Sequence, residues 1–118
     1  MASGSEKFGE FVRRERGEKE IGLREMAKMI GVSPTYLSKV ERDEFPPPAE
    51  DRVKKIAEVL NLDPDELLAL AGRVASDLTE IIRRQPHEAA SFLRSTGGRL
   101  TADEWHQLTE RARKAKNR

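Results

Sequence analysis

His87, Glu88 and Ser91 are neighbours in sequence and together hold the side-chain types of a nucleophile and its base. That chemistry also needs a setting, such as a strained turn that presents the hydroxyl, a glycine-rich phosphate loop or a cleft with paired carboxylates. None accompanies them. Cysteine is absent, which removes disulfides and thiolate chemistry and fits a reducing cytoplasm. His87 and His106 cannot form a usual zinc site without cysteines or a carboxylate cluster. The chain is therefore expected not to be an enzyme, and to need no cofactor and no metal. What remains is hydrogen-bonding and charge chemistry. With 22 Lys/Arg against 21 Asp/Glu the net charge is only +1. Residues 1–72 carry 12 Lys/Arg against 15 Asp/Glu, whereas residues 73–118 carry 10 against 6. Five of those ten, Arg111, Arg113, Lys114, Lys116 and Arg118, cluster in the last eight residues. Bulk charge alone does not mark a nucleic-acid binder, so such a reading must come from pattern.

The elements that must position these groups read as helices. A length of 118 residues suits one compact domain, or a small domain with an appendage. Hydrophobic and charged residues each make up 36%, and the mean hydropathy is −0.71. A soluble chain with a modest core is expected. No apolar run approaches the roughly 20 residues that span a bilayer, and Met1–Glu6 has neither the basic nor the apolar region of a signal peptide. A cytoplasmic protein without membrane contact is expected, its residues 1–5 frayed.

Phe8, Phe11 and Val12 recur at helical spacing over Lys7–Arg16, after which Gly17 and a charged stretch lead to Ile21. A second helix presents Leu23, Met26, Ala27 and Ile30 inward and stops at Gly31, a natural left-handed cap. Ser33-Pro34 starts the next, with serine capping and proline in the first helical position. It runs to about Arg42, with Leu37 and Val40 inward. Phe45-Pro46-Pro47-Pro48 cannot be helical. Helices over about Glu50–Leu60 and from Asp63-Pro64 follow, carrying Val53, Ile56, Ala57 and Leu60, then Leu67, Leu68 and Leu70. After Gly72 the pattern resumes through Val74, Leu78, Ile81 and Ile82, with Pro86 a break or a new start. Phe92 and Leu93 precede Gly97-Gly98, and the capping box Thr101–Glu104 opens a last helix through Trp105, Leu108 and Ala112. The reading is all-α.

Two helices joined by a turn of three or four residues define a helix-turn-helix. Leu23–Glu41 meets its demands in order: a small Ala27 where the helices cross, Gly31 to turn the chain, and Met26, Ile30, Val32, Leu37 and Val40 to fix the interhelical angle. Over residues 8–71, and most closely in Gly31-Val32-Ser33-Pro34-Thr35-Tyr36-Leu37-Ser38-Lys39-Val40-Glu41-Arg42, the chain resembles the phage-repressor family, Cro/C1 or XRE. The resemblance implies a five-helix, lambda-repressor-like DNA-binding domain over residues 6–72, a helical dimerisation or regulatory region over 73–118, and double-stranded DNA as partner.

In that family the second helix of the motif lies in the major groove. The resemblance then places Pro34, Thr35 and Lys39 against bases. Lys39 can donate to guanine O6 and N7, Thr35 can offer a methyl to thymine, and Pro34 can give apolar contact only. Arg24, Lys28, Tyr36, Ser38, Arg42 and Arg52 become backbone contacts, which position the domain without specifying sequence. Acids such as Glu15, Glu18, Glu20, Glu58 and Asp65 are expected away from the groove. Arg16 and Glu41 match a family pair that forms an internal salt bridge. Three residues depart from the family pattern. Glu15 stands where an apolar residue is usual, which implies loose packing or pairing with an arginine. Leu23 replaces a frequent glutamine, and Asp43 replaces a glycine, in a backbone region aspartate enters at some strain.

Residues 73–118 have too little apolar content for a separate core. Leu78, Ile81, Ile82, Phe92, Leu93, Trp105 and Leu108 need burial, either against the first domain or, as expected here, across a two-fold homodimer. A dimer would set two recognition helices roughly 34 Å apart on a palindromic site. The terminal basic cluster either touches flanking phosphates or is solvated. The segment with Phe92-Leu93-Arg94-Ser95, Gly97-Gly98 and a tryptophan-bearing helix is similar to the tails of stress-response repressors cut by ImmA/IrrE-type metallopeptidases, which implies cleavage at Leu93-Arg94. Self-cleavage is not expected, since 46 residues cannot house a Ser/Lys peptidase. The expected function is repression; the alternatives are a helical adaptor, or an antitoxin that binds a toxin and its own promoter.

Overall fold

Local signals in the chain set the helix boundaries. The structure, a computed structural model, describes residues 6–116; the frayed segment expected at 1–5 and the basic residue Arg118 lie outside the described residues. Eight α-helices and no strand are found among them. Contacts divide the chain into two compact units, Met1–Ser76 and Asp77–Arg118.

The first unit begins with α1 (Phe8–Glu18), which buries Phe8, Phe11 and Val12. The helix expected over Lys7–Arg16 runs on to Glu18, so that Gly17, expected just beyond it, lies inside its last turn, and Lys19 caps it. Next is α2 (Leu23–Ile30), with Met26, Ala27 and Ile30 buried; Gly31 adopts φ +74° and returns its N–H to the Lys28 carbonyl at 3.2 Å. After it, α3 (Pro34–Glu41) turns Leu37, Val40 and Glu41 inward, and Arg42 is its C-cap. Then α4 (Glu50–Leu60) buries Val53, Ile56, Ala57 and Leu60, and α5 (Pro64–Leu70) buries Leu67 and Leu68. The Asp63 carboxylate accepts from the Asp65 and Glu66 N–H groups at 2.8 and 3.1 Å, capping α5.

These five helices share one core. In it, α3 packs on both α1 and α2, α2 on α4, and α4 on α5. The proline connection is tied down by Arg73, whose Nη2 donates to the Pro47 carbonyl at 2.9 Å. At the end of this unit the Ser76 N–H and hydroxyl both donate to Glu50, each at 3.1 Å. The Lys54 ammonium, with Ser76, holds the Glu50 carboxyl below its ordinary value.

The second unit is built from α6 (Ser76–Arg84), α7 (Pro86–Thr96) and α8 (Ala102–Lys116). Pro86 is a start, occupying the first turn of α7, and Gly97 at φ +45° ends it. Thr101 Oγ1 accepts from the Glu104 N–H at 3.1 Å, and the Glu104 carboxylate accepts from the Thr101 N–H at 2.9 Å, so the capping box forms. No residue of these three helices is buried. Among the described residues no helix is long and apolar enough to cross a membrane, and no cluster of His, Cys, Asp or Glu could hold a metal.

Candidate nucleic-acid interface

The placement of α3 follows from its two ends and its inner face. At its start Ser33 Oγ accepts from the Tyr36 N–H at 3.1 Å, and Pro34 supplies a fixed φ. At its end the Glu41 carboxylate accepts from Arg16 Nε at 2.8 Å and from Nη2 at 3.0 Å, a bidentate pair. A third N–H of Arg16 donates to the Ile21 carbonyl at 2.8 Å. The Glu41 hydrogen bonds raise the pKa of Arg16 above its ordinary value. Between the ends, Leu37 and Val40 are buried against α1 and α2. The inner face is thereby fixed and the opposite face turns outward.

On that outer face Thr35 is exposed, while Pro34, Tyr36, Ser38 and Lys39 are half-buried. The Lys39 ammonium does not extend freely into solvent. It lies over the Phe45 ring, 5.1 Å from the centroid, and Phe45 also meets Tyr36 at a centroid distance of 5.8 Å and a tilt of 48°. Spacing of three along α3 sets Tyr36 and Lys39 on one face, and Phe45 covers the edge of that face.

Arg24 and Lys28 are exposed on α2. Arg42, also exposed, pairs with Glu44 at 2.9 Å. Arg52 has a duty the sequence did not announce: its Nη1 donates to the Ile30 carbonyl at 2.6 Å and so caps the C-terminus of α2. Glu15 is buried but not isolated. It pairs with Arg14 at 3.2 Å and with Lys19 at 3.4 Å, resolving the departure by pairing with an arginine. Asp43 takes φ +58°, and its carboxylate accepts from the Gly9 N–H in the first turn of α1 at 2.9 Å.

Two residues at this surface went unnoticed in the sequence. Phe45 read only as the start of a proline-stiffened connection; an aromatic a few residues after α3 was the available signal. Arg13 carried no reading from the sequence, yet it shares a small cleft with Arg42 and Ser38 at the end of α3. No local pattern reports that proximity.

In the second unit, Leu78, Ile81, Ile82, Phe92, Leu93 and Trp105 are exposed, and Leu108 is half-buried. Phe92 and Trp105 meet edge to face at 5.6 Å, joining α7 to α8. The Leu93-Arg94 step lies within the last turns of α7, both side chains exposed.

A family model described as a helix-turn-helix domain matches residues 9–73. An uncharacterized HTH-type transcriptional regulator of Mycobacterium tuberculosis is 33% identical over 75 residues, which are 64% of this chain and 53% of that protein. The ImmF control region 10 kDa protein of Bacillus phage phi105 is 39% identical over 57 residues, 48% of this chain and 62% of that one. The chain thus spans about half to three-fifths of the length of these relatives. Among solved structures, the DNA-binding domain of the P22 C2 repressor, determined in solution, is similar at 30% identity. Its TM-score is 0.50, and the match covers 56% of this chain and 86% of that one.

Proposed function

The chain belongs to the helix-turn-helix domain family, and from that premise we propose that it is a sequence-specific DNA-binding transcriptional regulator, a dimeric repressor that reads the major groove of a palindromic operator. The observation that carries this reading is the two-sided character of α3. Leu37, Val40 and Glu41 lock one face into the core, and Thr35, Tyr36 and Lys39 occupy the other. In this reading Pro34, Thr35 and Lys39 meet base edges, and Tyr36, Ser38, Arg24, Lys28 and Arg42 meet phosphates. Arg52 contributes first by capping α2, and Arg13 joins the phosphate contacts beside Arg42.

The test is binding to the duplex upstream of the protein's own gene, followed by titration. Lys39→Ala is expected to weaken specific binding by about 1–3 kcal/mol while the domain stays folded. Unaltered operator affinity would remove Lys39 from the interface. A helical adaptor would form no sequence-specific complex at all, and an antitoxin would also hold a small toxin.

Residues 6–72 supply DNA binding in this proposal, and residues 73–118 supply dimerisation. Trp105, Phe92 and the Leu78–Ile81–Ile82 stripe leave an apolar area that a second copy would bury. The full chain is expected to sediment as a dimer, and Trp105→Ala to shift it toward monomer. Cleavage at Leu93-Arg94 by an ImmA/IrrE-type metallopeptidase would do the same and release the operator. A monomer before any treatment would refute this part.

A further inference from the structure

We propose that Phe45 is a positioning residue for Lys39, holding the ammonium of the reading side chain in place without neutralising it. The inference rests on Lys39 being a base contact. The aromatic ring is itself fixed. The Glu44 and Phe45 N–H groups both donate to the Lys39 carbonyl, at 2.9 and 3.2 Å, so the chain leaving α3 folds directly back over that residue. Pro46 then restricts Phe45 to extended conformations, and Pro47 and Pro48 stiffen the rest of the connection to α4. Tyr36 flanks the ring on its helix side. Held this way, Phe45 remains 39% exposed and its ring lies 5.1 Å from the Lys39 ammonium, inside the distance at which a cation is attracted by a ring face.

The choice of partner matters chemically. A carboxylate beside Lys39 would accept its N–H groups and cancel its charge, and that pair would have to break before guanine O6 and N7 could be bound. Among the described residues no carboxylate forms an ion pair with Lys39, and the nearby Glu44 is engaged by Arg42. An aromatic face attracts the charge through its quadrupole and leaves N–H donors available. The side chain thus gives up rotamer freedom before DNA arrives, which reduces the ordering cost at binding.

A double-mutant cycle tests this. Duplexes are selected from a randomised pool with the full wild-type chain, and the enriched duplex is titrated with Phe45→Leu, Phe45→Tyr, Lys39→Ala and the Lys39→Ala/Phe45→Leu pair. Melting curves accompany each variant. Phe45→Leu is expected to lose roughly three- to tenfold in affinity, with the salt slope unchanged because no charge is removed. Phe45→Tyr, which keeps the ring, should restore most of the loss. In the Lys39→Ala background Phe45→Leu should cost nothing further. An equal loss in both backgrounds, or none in either, would overturn the positioning role and leave Lys39 as a reader. Failure of Lys39→Ala to weaken binding would remove Lys39 as a reader and this inference with it, whereas failure of the wild-type chain to enrich any duplex would sink the DNA reading itself.

Discussion

Arg16→Met is expected to destabilise the first unit by about 3–5 kcal/mol, the cost of leaving a buried charge without its partner. The carboxylate left behind is the reason. The Glu41 side chain is only 3% exposed, so water cannot replace the two N–H groups that Arg16 supplies at 2.8 and 3.0 Å. The reverse substitution should be milder. With Glu41→Gln, Arg16 is 16% exposed, keeps the Ile21 carbonyl at 2.8 Å and can turn toward solvent, so a loss of about 1–3 kcal/mol is expected. Replacing both, as Arg16→Met with Glu41→Leu, removes the unpaired charge and should recover much of the stability. Urea titration of the four proteins measures the series. Equal costs for the two single variants would mean that water reaches Glu41 as readily as Arg16. The pair also matters for the surface proposed to read DNA, because Glu41 is the last residue of α3 and Arg16 fixes that end to α1.

The range of each interaction decides whether the sequence displays it or conceals it. Caps and breaks act over a few residues, so Gly31, Ser33-Pro34, Asp63-Pro64, Pro86 and Thr101–Glu104 mark their helices directly. Inward faces are likewise periodic, and Met26, Ala27, Leu37, Val40, Ile56 and Leu60 are buried as their spacing requires. Gly17 misleads because a glycine without positive φ is simply a weak helical residue, and α1 runs through it. Other features are long-range. Arg52 reaches back to the carbonyl of Ile30, and Asp43 reaches to the N–H of Gly9. No spacing rule connects either pair, since the first meets only when α4 packs on α2 and the second only when α3 packs on α1. The Phe45–Lys39 contact is nearer in sequence but depends on how the chain leaves α3, which the prolines stiffen without specifying.

Gly9 is the sharpest case of such concealment, and it yields a paired prediction on one helix. Glycine to alanine inside a helix ordinarily stabilises by about 0.4–1 kcal/mol, since alanine has less backbone freedom to lose. Gly17 should obey that rule, because a Cβ there would meet nothing within 4 Å. Gly9 should not. A Cβ at that position would collide with the backbone carbonyl oxygen of Val40, and would lie 2.7 Å from Asp43 Oδ1 and 2.9 Å from its Cγ. The carboxylate can swing aside, at the cost of the bond it accepts from the Gly9 N–H. The Val40 carbonyl can retreat only if α3 moves with it. Overpacking of this kind costs about 1–3 kcal/mol, and the lost hydrogen bond about 1 kcal/mol more. Gly9→Ala should therefore destabilise by about 2–3 kcal/mol while Gly17→Ala gains slightly, a difference in sign that thermal melts resolve. Because the relief comes through displacement of α3, Gly9→Ala should also weaken operator binding at temperatures where the protein is fully folded. Parallel stabilisation by both substitutions would show that α1 and α3 do not cross as closely as this geometry requires, and that α3 owes its presentation to something other than the bare backbone at Gly9.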